Sequence, residues 1–173
     1  LNKKLTEKTN LTHNGYYGFS KFVSEQLLQL QINCPLTIIR LPGVYGVHDK
    51  NKSVITNFID KILNNEKIKI YDGGKVLRDY VYVKDIVEII KLCLNRKISR
   101  TFNFATGKSF KISEIINLIE SRINKKSKIL KIKTNHSQFD LKFNIKKFKK
   151  IFPNFKITDL KTGIDEIIKL KYE

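Results

Sequence analysis

Leu36-Thr37-Ile38-Ile39-Arg40-Leu41 is the stretch of sequence that decides the fold. It is a nearly continuous run of apolar and β-branched residues, which favour extended backbone. A strand with apolar side chains on both faces is typical of the interior of a parallel sheet that is covered on both sides. The run therefore predicts a parallel, interior strand.

The residues on either side of this strand carry other patterns. Upstream, residues 16–33 have apolar positions at helical spacing, and Cys34-Pro35 closes the segment. Downstream, Pro42-Gly43-Val44-Tyr45-Gly46 predicts a turn. The spacing of apolar residues then predicts a second helix from Ser53 to Asn65.

Strand and helix patterns continue to alternate along the rest of the chain. Ile68 to Tyr71 predicts a strand, and Asp72-Gly73-Gly74 predicts a hairpin or sharp bend into an extended segment at 76–83. The remaining predicted elements are a helix at 85–95, a strand at 101–105, a helix at 114–123 capped by Ser113, a strand at 128–133, a loop at 136–140, and helices at 145–152 and 163–170. This alternation, without an internal repeat, indicates an α/β protein.

Length and charge limit the possible classes of function. A chain of 173 residues makes about one domain and can bury a core without disulfides or a structural metal. Its apolar content of 41% excludes a disordered chain and a membrane protein. The formal net charge of +18 makes nucleic acid, an anionic membrane surface or an anionic small substrate the first candidate partners. Arginine, which base recognition and bidentate phosphate binding favour, supplies only five of the 34 basic residues, so we attribute most of the lysine excess to a drift in composition.

The chain ends and the cysteines suggest a cytoplasmic fragment. The sequence has no Met and opens with Leu1, so we expect a fragment of a longer protein. No apolar stretch approaches the ~20 residues of a membrane span, and the first thirty residues lack a secretory signal, so we expect a cytoplasmic protein without a membrane partner. Cys34 and Cys93 lack metal or disulfide spacing and are predicted to be buried small hydrophobic residues. The three histidines also lack metal-ligand spacing, so no metal is expected.

Tyr17 and Lys21 form the candidate catalytic pair. They lie four residues apart at the start of the first predicted helix, so their side chains project from one face. A phenol beside an ammonium is a usable acid–base pair, because the cation stabilises the phenolate. With 7 Tyr and 29 Lys, however, about one Tyr-x-x-x-Lys spacing is expected by chance. A packed tyrosine beside a solvated lysine therefore remains an equal alternative.

Two other tyrosine–lysine pairs have the same spacing, Tyr71/Lys75 and Tyr80/Lys84. The first spans the predicted Asp72-Gly73-Gly74 turn, and the second leaves a predicted strand. Neither presents a helical face, so only the pair at 17 and 21 has the geometry that acid–base chemistry requires.

The sequence around this pair resembles a known family. The run Tyr17-Gly18-Phe19-Ser20-Lys21-Phe22-Val23-Ser24-Glu25-Gln26-Leu27-Leu28 resembles the active-site helix of the extended short-chain dehydrogenases/reductases, specifically their nucleotide-sugar epimerases and dehydratases. Further stretches resemble that family in the same order: Leu5-Thr6-Glu7, Arg40-Leu41-Pro42-Gly43-Val44-Tyr45-Gly46, Ile70-Tyr71-Asp72-Gly73-Gly74, Arg78-Asp79-Tyr80-Val81-Tyr82-Val83-Lys84-Asp85 and Phe102-Asn103-Phe104-Ala105-Thr106-Gly107-Lys108-Ser109. The resemblance covers essentially the whole chain.

The resemblance implies an architecture and a set of ligands. The chain would be the C-terminal portion of a Rossmann-type doubly wound parallel sheet with a smaller α/β substrate-binding lobe. Residues 1–43 and 79–106 would belong to the Rossmann domain, and residues 44–78 and 107–173 to the lobe. NAD, or alternatively NADP, would be the cofactor. A nucleotide sugar would be the substrate, and the full-length enzyme would be a homodimer.

The resemblance also implies roles for individual residues. Tyr17 would exchange a proton with a sugar hydroxyl, and Lys21 would hold the cofactor ribose and favour the phenolate. Both would therefore contact the cofactor, and Pro42 would lie near the nicotinamide. The implied substrate-binding residues are Gly43, Ile70, Tyr71 and Arg78.

Three of these substrate residues have specific implied positions. Arg78 would bind the nucleotide diphosphate, for which a forked cation is well suited. Ile70 and Tyr71 would flank the nucleotide base. Read from the residues alone, Arg78 could instead pair with Asp79 or Asp85, and Tyr71 could be an ordinary sheet residue.

Two features depart from the family pattern. The family usually has Asn where Gly43 stands and Pro where Val47 stands, so a substrate hydrogen bond is lost and the substrate class stays open. The family's Gly-rich phosphate loop, acidic ribose ligand and catalytic Ser/Thr are also missing, and we expect them to belong to strands that would precede Leu1. Gly107-Lys108-Ser109 is not a phosphate loop, because the Gly required five positions before Gly107 is replaced by Phe102.

We therefore expect the parent enzyme to catalyse NAD-dependent epimerisation or dehydration of a nucleotide-linked sugar, with this chain inactive alone. An NADPH-dependent nucleotide-sugar reductase is the alternative within the family, and a basic nucleic-acid-binding domain is the alternative outside it. The helix at 145–152 is lysine-rich, but its apolar residues Ile145, Phe148, Ile151 and Phe152 form a core-facing stripe. Its lysines then form a solvated face, so no nucleic-acid partner is expected.

Overall fold

Helices and short strands alternate along the residues that the computed structural model describes, which are 4–9, 15–50, 52–135 and 139–172. The helices are α1 (Gly15–Gln31), α2 (Val54–Leu63), α3 (Val83–Asn95), α4 (Ile112–Ile123), α5 (Lys146–Ile151) and α6 (Leu160–Tyr172). The strands are β1 (Ile38–Arg40), β2 (Gly43–Tyr45), β3 (Lys67–Tyr71), β4 (Leu77–Arg78), β5 (Tyr80–Tyr82), β6 (Thr101–Asn103), β7 (Phe110–Lys111) and β8 (Lys128–Ile132). The predicted α/β class is confirmed. The predicted loop at 136–140 lies partly outside the described residues.

Parallel pairing dominates the strands. β1 pairs in parallel with β6, so that Ile38 lies opposite Thr101 and Arg40 opposite Asn103. β2 pairs in parallel with β5, and β3 with β8. Only β4 and β7 form an antiparallel pair among the described strands. The parallel pairing predicted between the strands at 36–41 and 101–105 is therefore confirmed. The interior position predicted for the first strand is not seen, because β1 pairs with β6 alone among the described strands and its residues are half-buried.

The turn predicted at 42–46 is wrong, because Gly43–Tyr45 forms β2. The backbone N–H of Gly43 donates to the carbonyl of Asp79 at 3.2 Å, and the strand then follows β5. Pro42 ends the pairing with β6 because it has no N–H to donate. The chain therefore continues extended and changes partner, which local turn chemistry does not reveal.

Of the hairpin or sharp bend predicted at Asp72-Gly73-Gly74, the sharp bend is the one that forms. These residues form a short 3-10 turn in which Gly73 and Gly74 have φ of 70° and 66°, values that suit glycine. The strand before the bend pairs with β8, and the strand after it pairs with β7. The local sequence predicts the bend but not which strands meet.

Helix starts agree with the sequence at one position and differ at another. Ser53 caps α2, and its hydroxyl accepts from the N–H of Thr56 at 3.3 Å. Ser113 does not cap α4, because Lys111 holds the cap position and the helix begins at Ile112. The carboxylate of Glu114 accepts from the N–H of Lys111 at 2.8 Å, which satisfies the donor at the helix start.

Two clusters of buried side chains hold the elements together. The first joins β2, β3 and β5 to α2, α4 and α6, and includes Tyr45, Ile55, Ile59, Ile62, Ile68, Tyr82, Ile115, Ile119 and Ile164. The second joins α3 and β6 to α5 and consists of Ile89, Cys93, Phe102, Phe104, Phe148 and Phe152. The core-facing stripe predicted for the basic helix is thus confirmed at Phe148 and Phe152.

The first helix contributes little to either cluster. No residue of α1 is buried, and Leu27 and Leu30 expose 49% and 82% of their surface. Cys34, just beyond this helix, is exposed, so the prediction that it is buried is wrong, whereas Cys93 is buried as predicted.

Candidate active site

Tyr17 and Lys21 lie together on the first turns of α1. The Nζ atom of Lys21 is 5.5 Å from the centroid of the Tyr17 ring, so the cation lies over an aromatic face. The Tyr17 side chain is 76% exposed, and its phenol is open to solvent. The structure thus brings the two residues of the predicted catalytic pair into contact.

Glu25 extends this pair along the same helix face and links it to β1. Arg40 binds both of its carboxylate oxygens, from Nε at 3.1 Å and from a terminal guanidinium nitrogen at 2.5 Å. The two side chains are only 20% and 11% exposed. A bidentate pair shielded from water in this way is among the stronger polar contacts in a protein.

Arg40 also holds the segment that precedes α1. Its guanidinium donates to the carbonyl of Glu7 at 2.9 Å. The carboxylate of Glu7 accepts from the backbone N–H of Asn103 at 2.8 Å, and the Asn103 amide donates to the carbonyl of Leu5 at 3.2 Å. The carboxyl ends of β1 and β6 therefore anchor residues 5–7.

Pro42 and Gly43 lie where the chain passes from β1 to β2, and both are half-buried. A Cβ atom added to Gly43 would lie 2.5 and 2.6 Å from two carbons of the Tyr80 ring. The Tyr80 ring thus occupies the space that a side chain at position 43 would need. This close approach gives a structural reason for glycine where the resembling family usually has Asn.

Arg78 faces backbone carbonyl groups. It donates to the carbonyl of Leu77 at 2.9 Å and to that of Phe139 at 2.6 Å. Pairing with Asp79 or Asp85, the alternative open from the sequence, is absent from the ion pairs between described residues.

Ile70 and Tyr71 point to opposite sides of β3. Successive residues of a strand face opposite ways, and here Ile70 is 6% exposed in the first cluster whereas Tyr71 is 48% exposed. The structure does not bring these two predicted base-flanking side chains to one surface. Tyr71 alone is available to a ligand in solution.

Buried carboxylates brace the loops near Arg78. Asp79 accepts from the hydroxyl and N–H of Thr106 at 2.6 and 3.1 Å, and from the N–H of Gly107 at 2.9 Å. Burial raises the pKa of Asp79 above its ordinary 3.8, although these hydrogen bonds act in the opposite direction. Asp85 in turn accepts from the N–H and hydroxyl of Thr158, both at 2.8 Å. These groups hold loops and are not open to a ligand.

Residues 139–144 connect the Arg78 side of the site to the segment before α1. The N–H of Leu141 donates to the carbonyl of Leu77 at 3.0 Å. The N–H of Leu5 donates to the backbone carbonyl of Lys142 at 2.7 Å. The carbonyl of Leu5 accepts from the backbone N–H of Asn144 at 2.8 Å. Backbone hydrogen bonds thus link Leu77, the neighbour of Arg78, through residues 141–144 to the segment that Arg40 anchors.

Other kinds of site receive no support from the described residues. No group of three or more His, Cys, Asp or Glu side chains that could hold a metal ion occurs among them. None of the described helices is long and apolar enough to cross a membrane. Two surface cavities of about 360 and 530 Å³ lie beside α3, and neither is lined by any of the predicted site residues.

A comparison of the sequence with known families gives the decisive match. The sequence model of the NAD-dependent epimerase/dehydratase family matches residues 2–105, which contain Tyr17, Lys21, Pro42, Gly43 and Arg78. The chain belongs to the NAD-dependent epimerase/dehydratase family. The resemblance drawn from the sequence is thereby confirmed.

Individual relatives of the epimerase/dehydratase family agree. A putative UDP-glucose 4-epimerase of Methanocaldococcus jannaschii is 31% identical over 159 residues, which cover 88% of this chain and 52% of that protein. The dTDP-glucose 4,6-dehydratase of Bacillus anthracis, solved with NAD, superposes with a TM-score of 0.83 at 20% identity, over 96% of this chain and 55% of its own. The UDP-glucuronic acid 4-epimerase of Bacillus cereus gives 0.86 at 19% identity, over 99% and 58%. The fold is therefore of the Rossmann type, and the chain spans about half the length of these proteins.

The sequence analysis did not single out Glu25, Arg40 and Glu7, which the structure connects to the helix of the candidate pair. A signal for them exists in the sequence. Glu25 follows Lys21 by four residues and therefore shares its helix face. Arg40 is the only charged residue in the apolar run 36–41, and a charge in a buried strand requires a partner.

Proposed function

We propose that the protein carrying this chain catalyses the NAD-dependent epimerisation or dehydration of a nucleotide-linked sugar. The observation that carries the proposal is the contact between Tyr17 and Lys21 on an exposed helix face, in a chain of the epimerase/dehydratase family. An exposed phenol with a cation over its ring can give up and take back a proton at a bound substrate.

Tyr17 is the proposed acid–base residue. Its phenolate removes the proton of a sugar hydroxyl, and the phenol so formed returns a proton when the reaction reverses. Lys21 stabilises the phenolate by its positive charge. Hydride transfer to and from the sugar carbon is the chemistry that bound NAD supplies.

The described residues fit the nicotinamide end of that cofactor. The Lys21 ammonium is exposed and can donate to ribose hydroxyls, and the Pro42 backbone lies half-buried at the carboxyl end of β1. In sheets of the Rossmann type, ligands bind beyond the carboxyl ends of the strands. NADP remains the alternative cofactor.

Arg78, Gly43, Tyr71 and Ile70 are the proposed substrate residues. The hydrogen bonds of Arg78 to described residues both come from one terminal nitrogen, so its other terminal nitrogen and Nε remain for phosphate oxygens. Tyr71 offers an exposed ring for a nucleotide base. Gly43 and buried Ile70 would act through the backbone, since neither presents a side chain to a ligand.

A homodimer of the full-length protein is the proposed assembly, and the cytoplasm its proposed location. The apolar side chains along α1 support the assembly, since Tyr16, Leu27 and Leu30 expose 94%, 49% and 82% of their surface. The matches to the epimerase/dehydratase family do not favour the nucleic-acid-binding alternative. A nucleotide-sugar reductase remains the alternative within the family.

The test compares Tyr17→Phe with Tyr16→Phe in the full-length protein. Tyr16 is also exposed and lies on the same helix, but 100° away around its axis, so it controls for loss of one phenol. Turnover of UDP-glucose and dTDP-glucose is followed by NMR of the products. Tyr17→Phe is expected to lower kcat by at least about 100-fold while KM changes little, and Tyr16→Phe to leave both near wild type.

Several outcomes would contradict the proposal. Near wild-type turnover by Tyr17→Phe would remove the catalytic assignment. Absence of turnover with every nucleotide sugar, together with a micromolar complex with DNA or RNA that persists at physiological salt, would favour the nucleic-acid-binding alternative.

A further inference from the structure

The Lys21 ammonium can be attracted either to the Tyr17 ring or to the carboxylate of Glu25, which lies next to it on α1. Tyr17, Lys21 and Glu25 follow one another at four-residue intervals, so all three lie along one face of the helix. A lysine and a glutamate at this spacing attract each other. Left alone, Glu25 would draw the Lys21 ammonium towards itself and away from the Tyr17 ring.

Arg40 binds both oxygens of that carboxylate, and the Gln29 amide also donates to one of them, at 3.4 Å. Arg40 binds Oε2 from Nε and Oε1 from a terminal nitrogen, at 3.1 and 2.5 Å. Arginine suits this role because two nitrogens of its planar guanidinium can donate to the two oxygens of a carboxylate at once. A lysine ammonium cannot bind a carboxylate in this bidentate way. The observed result is an ammonium 5.5 Å from the ring centroid of Tyr17.

We propose that Arg40 is a positioning residue for the catalytic pair: by binding both oxygens of Glu25, it keeps that carboxylate from Lys21 and leaves the ammonium over Tyr17. The assignment of the pair as catalytic rests on the proposed function. The competition between Arg40 and Lys21 for Glu25 does not depend on it.

A second contact gives Arg40 control over where the helix lies. Its bond to the Glu7 carbonyl fixes the chain before α1, and its bonds to Glu25 fix the chain within α1. Because no residue of α1 is buried, these polar bonds matter more for its placement than they would for a helix packed in the core. Arg40 thus joins both segments to the carboxyl end of β1.

The first experiment observes the Tyr17 ring by NMR in the 173-residue chain with isotope-labelled tyrosine. Tyr17→Phe assigns the resonance, and Lys21→Gln gives its position without the cation. Arg40→Met is expected to move the Tyr17 resonance most of the way to the Lys21→Gln position, because the freed Glu25 takes the ammonium. Glu25→Gln combined with Arg40→Met is expected to return it close to wild type, because no competing carboxylate remains.

Two further variants separate positioning from mere support of the helix. Glu25→Gln alone should keep the wild-type resonance, whereas a purely structural ion pair predicts the same change as Arg40→Met. Arg122→Met removes another arginine–carboxylate pair, with Asp165, and should leave Tyr17 unchanged. The proposal is overturned if Arg40→Met leaves the resonance in place, or if the double variant fails to restore it. If Arg40→Met does not fold, a Glu25→Gln resonance at the Lys21→Gln position overturns it equally.

The second experiment measures activity in the full-length protein. Arg40→Met is expected to lower kcat at least about tenfold with KM changed by less than about threefold, and the added Glu25→Gln to recover part of kcat, because Lys21 is released while the Arg40 contacts that place α1 stay lost. If the resonance behaves as expected but no nucleotide sugar is turned over by the wild type, the proposed function fails and the positioning by Arg40 stands. If the wild type is active but Arg40→Met does not move the Tyr17 resonance, the positioning role of Arg40 is wrong and the proposed function stands.

Discussion

Thr106 bonds the buried carboxylate of Asp79 twice, through its hydroxyl at 2.6 Å and its backbone N–H at 3.1 Å. Asp79 lies between β4 and β5, and Thr106 follows β6. This contact therefore fastens the loop that carries Arg78 to the end of the β1–β6 ladder. It connects the proposed substrate side of the site to the proposed cofactor side.

Asp79→Asn is expected to destabilise the chain by about 1–3 kcal/mol. An amide has one acceptor oxygen where the carboxylate has two, so at least one of the donors from Thr106, Gly107 and Tyr80 loses its partner. Urea unfolding measures the loss. The control is Asp165→Asn, in an ion pair whose side chains are both 36% exposed, for which a change of less than about 1 kcal/mol is expected. A loss at Asp79 no larger than that of the control would contradict the bracing role.

Tyr45→Phe is expected to reduce the sensitivity of the fold to alkali. The Tyr45 side chain is 1% exposed, and its hydroxyl has no hydrogen-bond partner among the described residues. Burial, and secondarily the charge of Asp85, raises the pKa of this phenol well above its ordinary 10.0. The folded state thus keeps the proton while the unfolded state releases it, so stability is full below pH 10 and falls as the pH rises further.

The measurement for Tyr45 compares Tm at about pH 8 and about pH 11. Wild type should lose more than Tyr45→Phe between the two. Burial also raises the pKa of Tyr82 to about 12, so part of the alkaline loss should remain in the variant. Tyr16→Phe, at a 94% exposed position, controls for the loss of one phenol and should follow wild type.

Gly163→Ala is expected to destabilise the chain by about 1–3 kcal/mol, although alanine favours a helix interior over glycine by about 1 kcal/mol. A Cβ at this position of α6 would overlap the Tyr45 hydroxyl and lie 2.8 Å from the ring carbon that carries it. Thermal unfolding measures the loss, and combination with Tyr45→Phe should recover part of it. A stabilising Gly163→Ala would show that the helix can move away from Tyr45.

Local sequence patterns predicted the helices and most strands, and failed where partners are distant. Apolar spacing located α2 within two residues, because one helix face meets the core through Ile55, Ile59 and Ile62. The same local information could not show that β3 would pair with β8, some sixty residues away, in place of the strand after the bend. Strand pairing depends on long-range packing that turn residues do not encode.

In the candidate site, too, contacts between residues close in sequence were predictable and contacts between distant residues were not. The pair at 17 and 21 was predictable because helical geometry alone brings residues four apart together. The link between Glu25 and Arg40 joins a helix to a strand across 15 positions of sequence, and no local periodicity reports it. The burial of Ile70 beside the exposed Tyr71 follows from strand alternation, but a motif resemblance named both without regard to which side each would face.

Gly43→Ala is expected to cost about 1–3 kcal/mol, because the added Cβ would lie 2.5 Å from the buried Tyr80 ring. Gly43→Asn, which introduces the residue usual in the family, should cost at least as much. In a Tyr80→Val background the ring is gone, and Gly43→Ala is expected to cost less than about 0.5 kcal/mol further. Urea unfolding of the four proteins measures this coupling, and additive losses would exclude it.

The 173-residue chain is expected not to bind NAD with measurable affinity. In Rossmann folds, the cofactor pyrophosphate is bound by a Gly-rich turn at a helix N-terminus, where free N–H groups and the helix dipole meet its charge. The sequence contains no Gly-x-Gly-x-x-Gly turn, so Tyr17, Lys21 and Pro42 would contact the nicotinamide end only. Calorimetric titration with NAD tests this, with the Bacillus anthracis dehydratase, whose structure contains NAD, as the positive control. A dissociation constant in roughly the micromolar range, about −8 kcal/mol of binding free energy, would show that these residues hold the cofactor without the pyrophosphate turn.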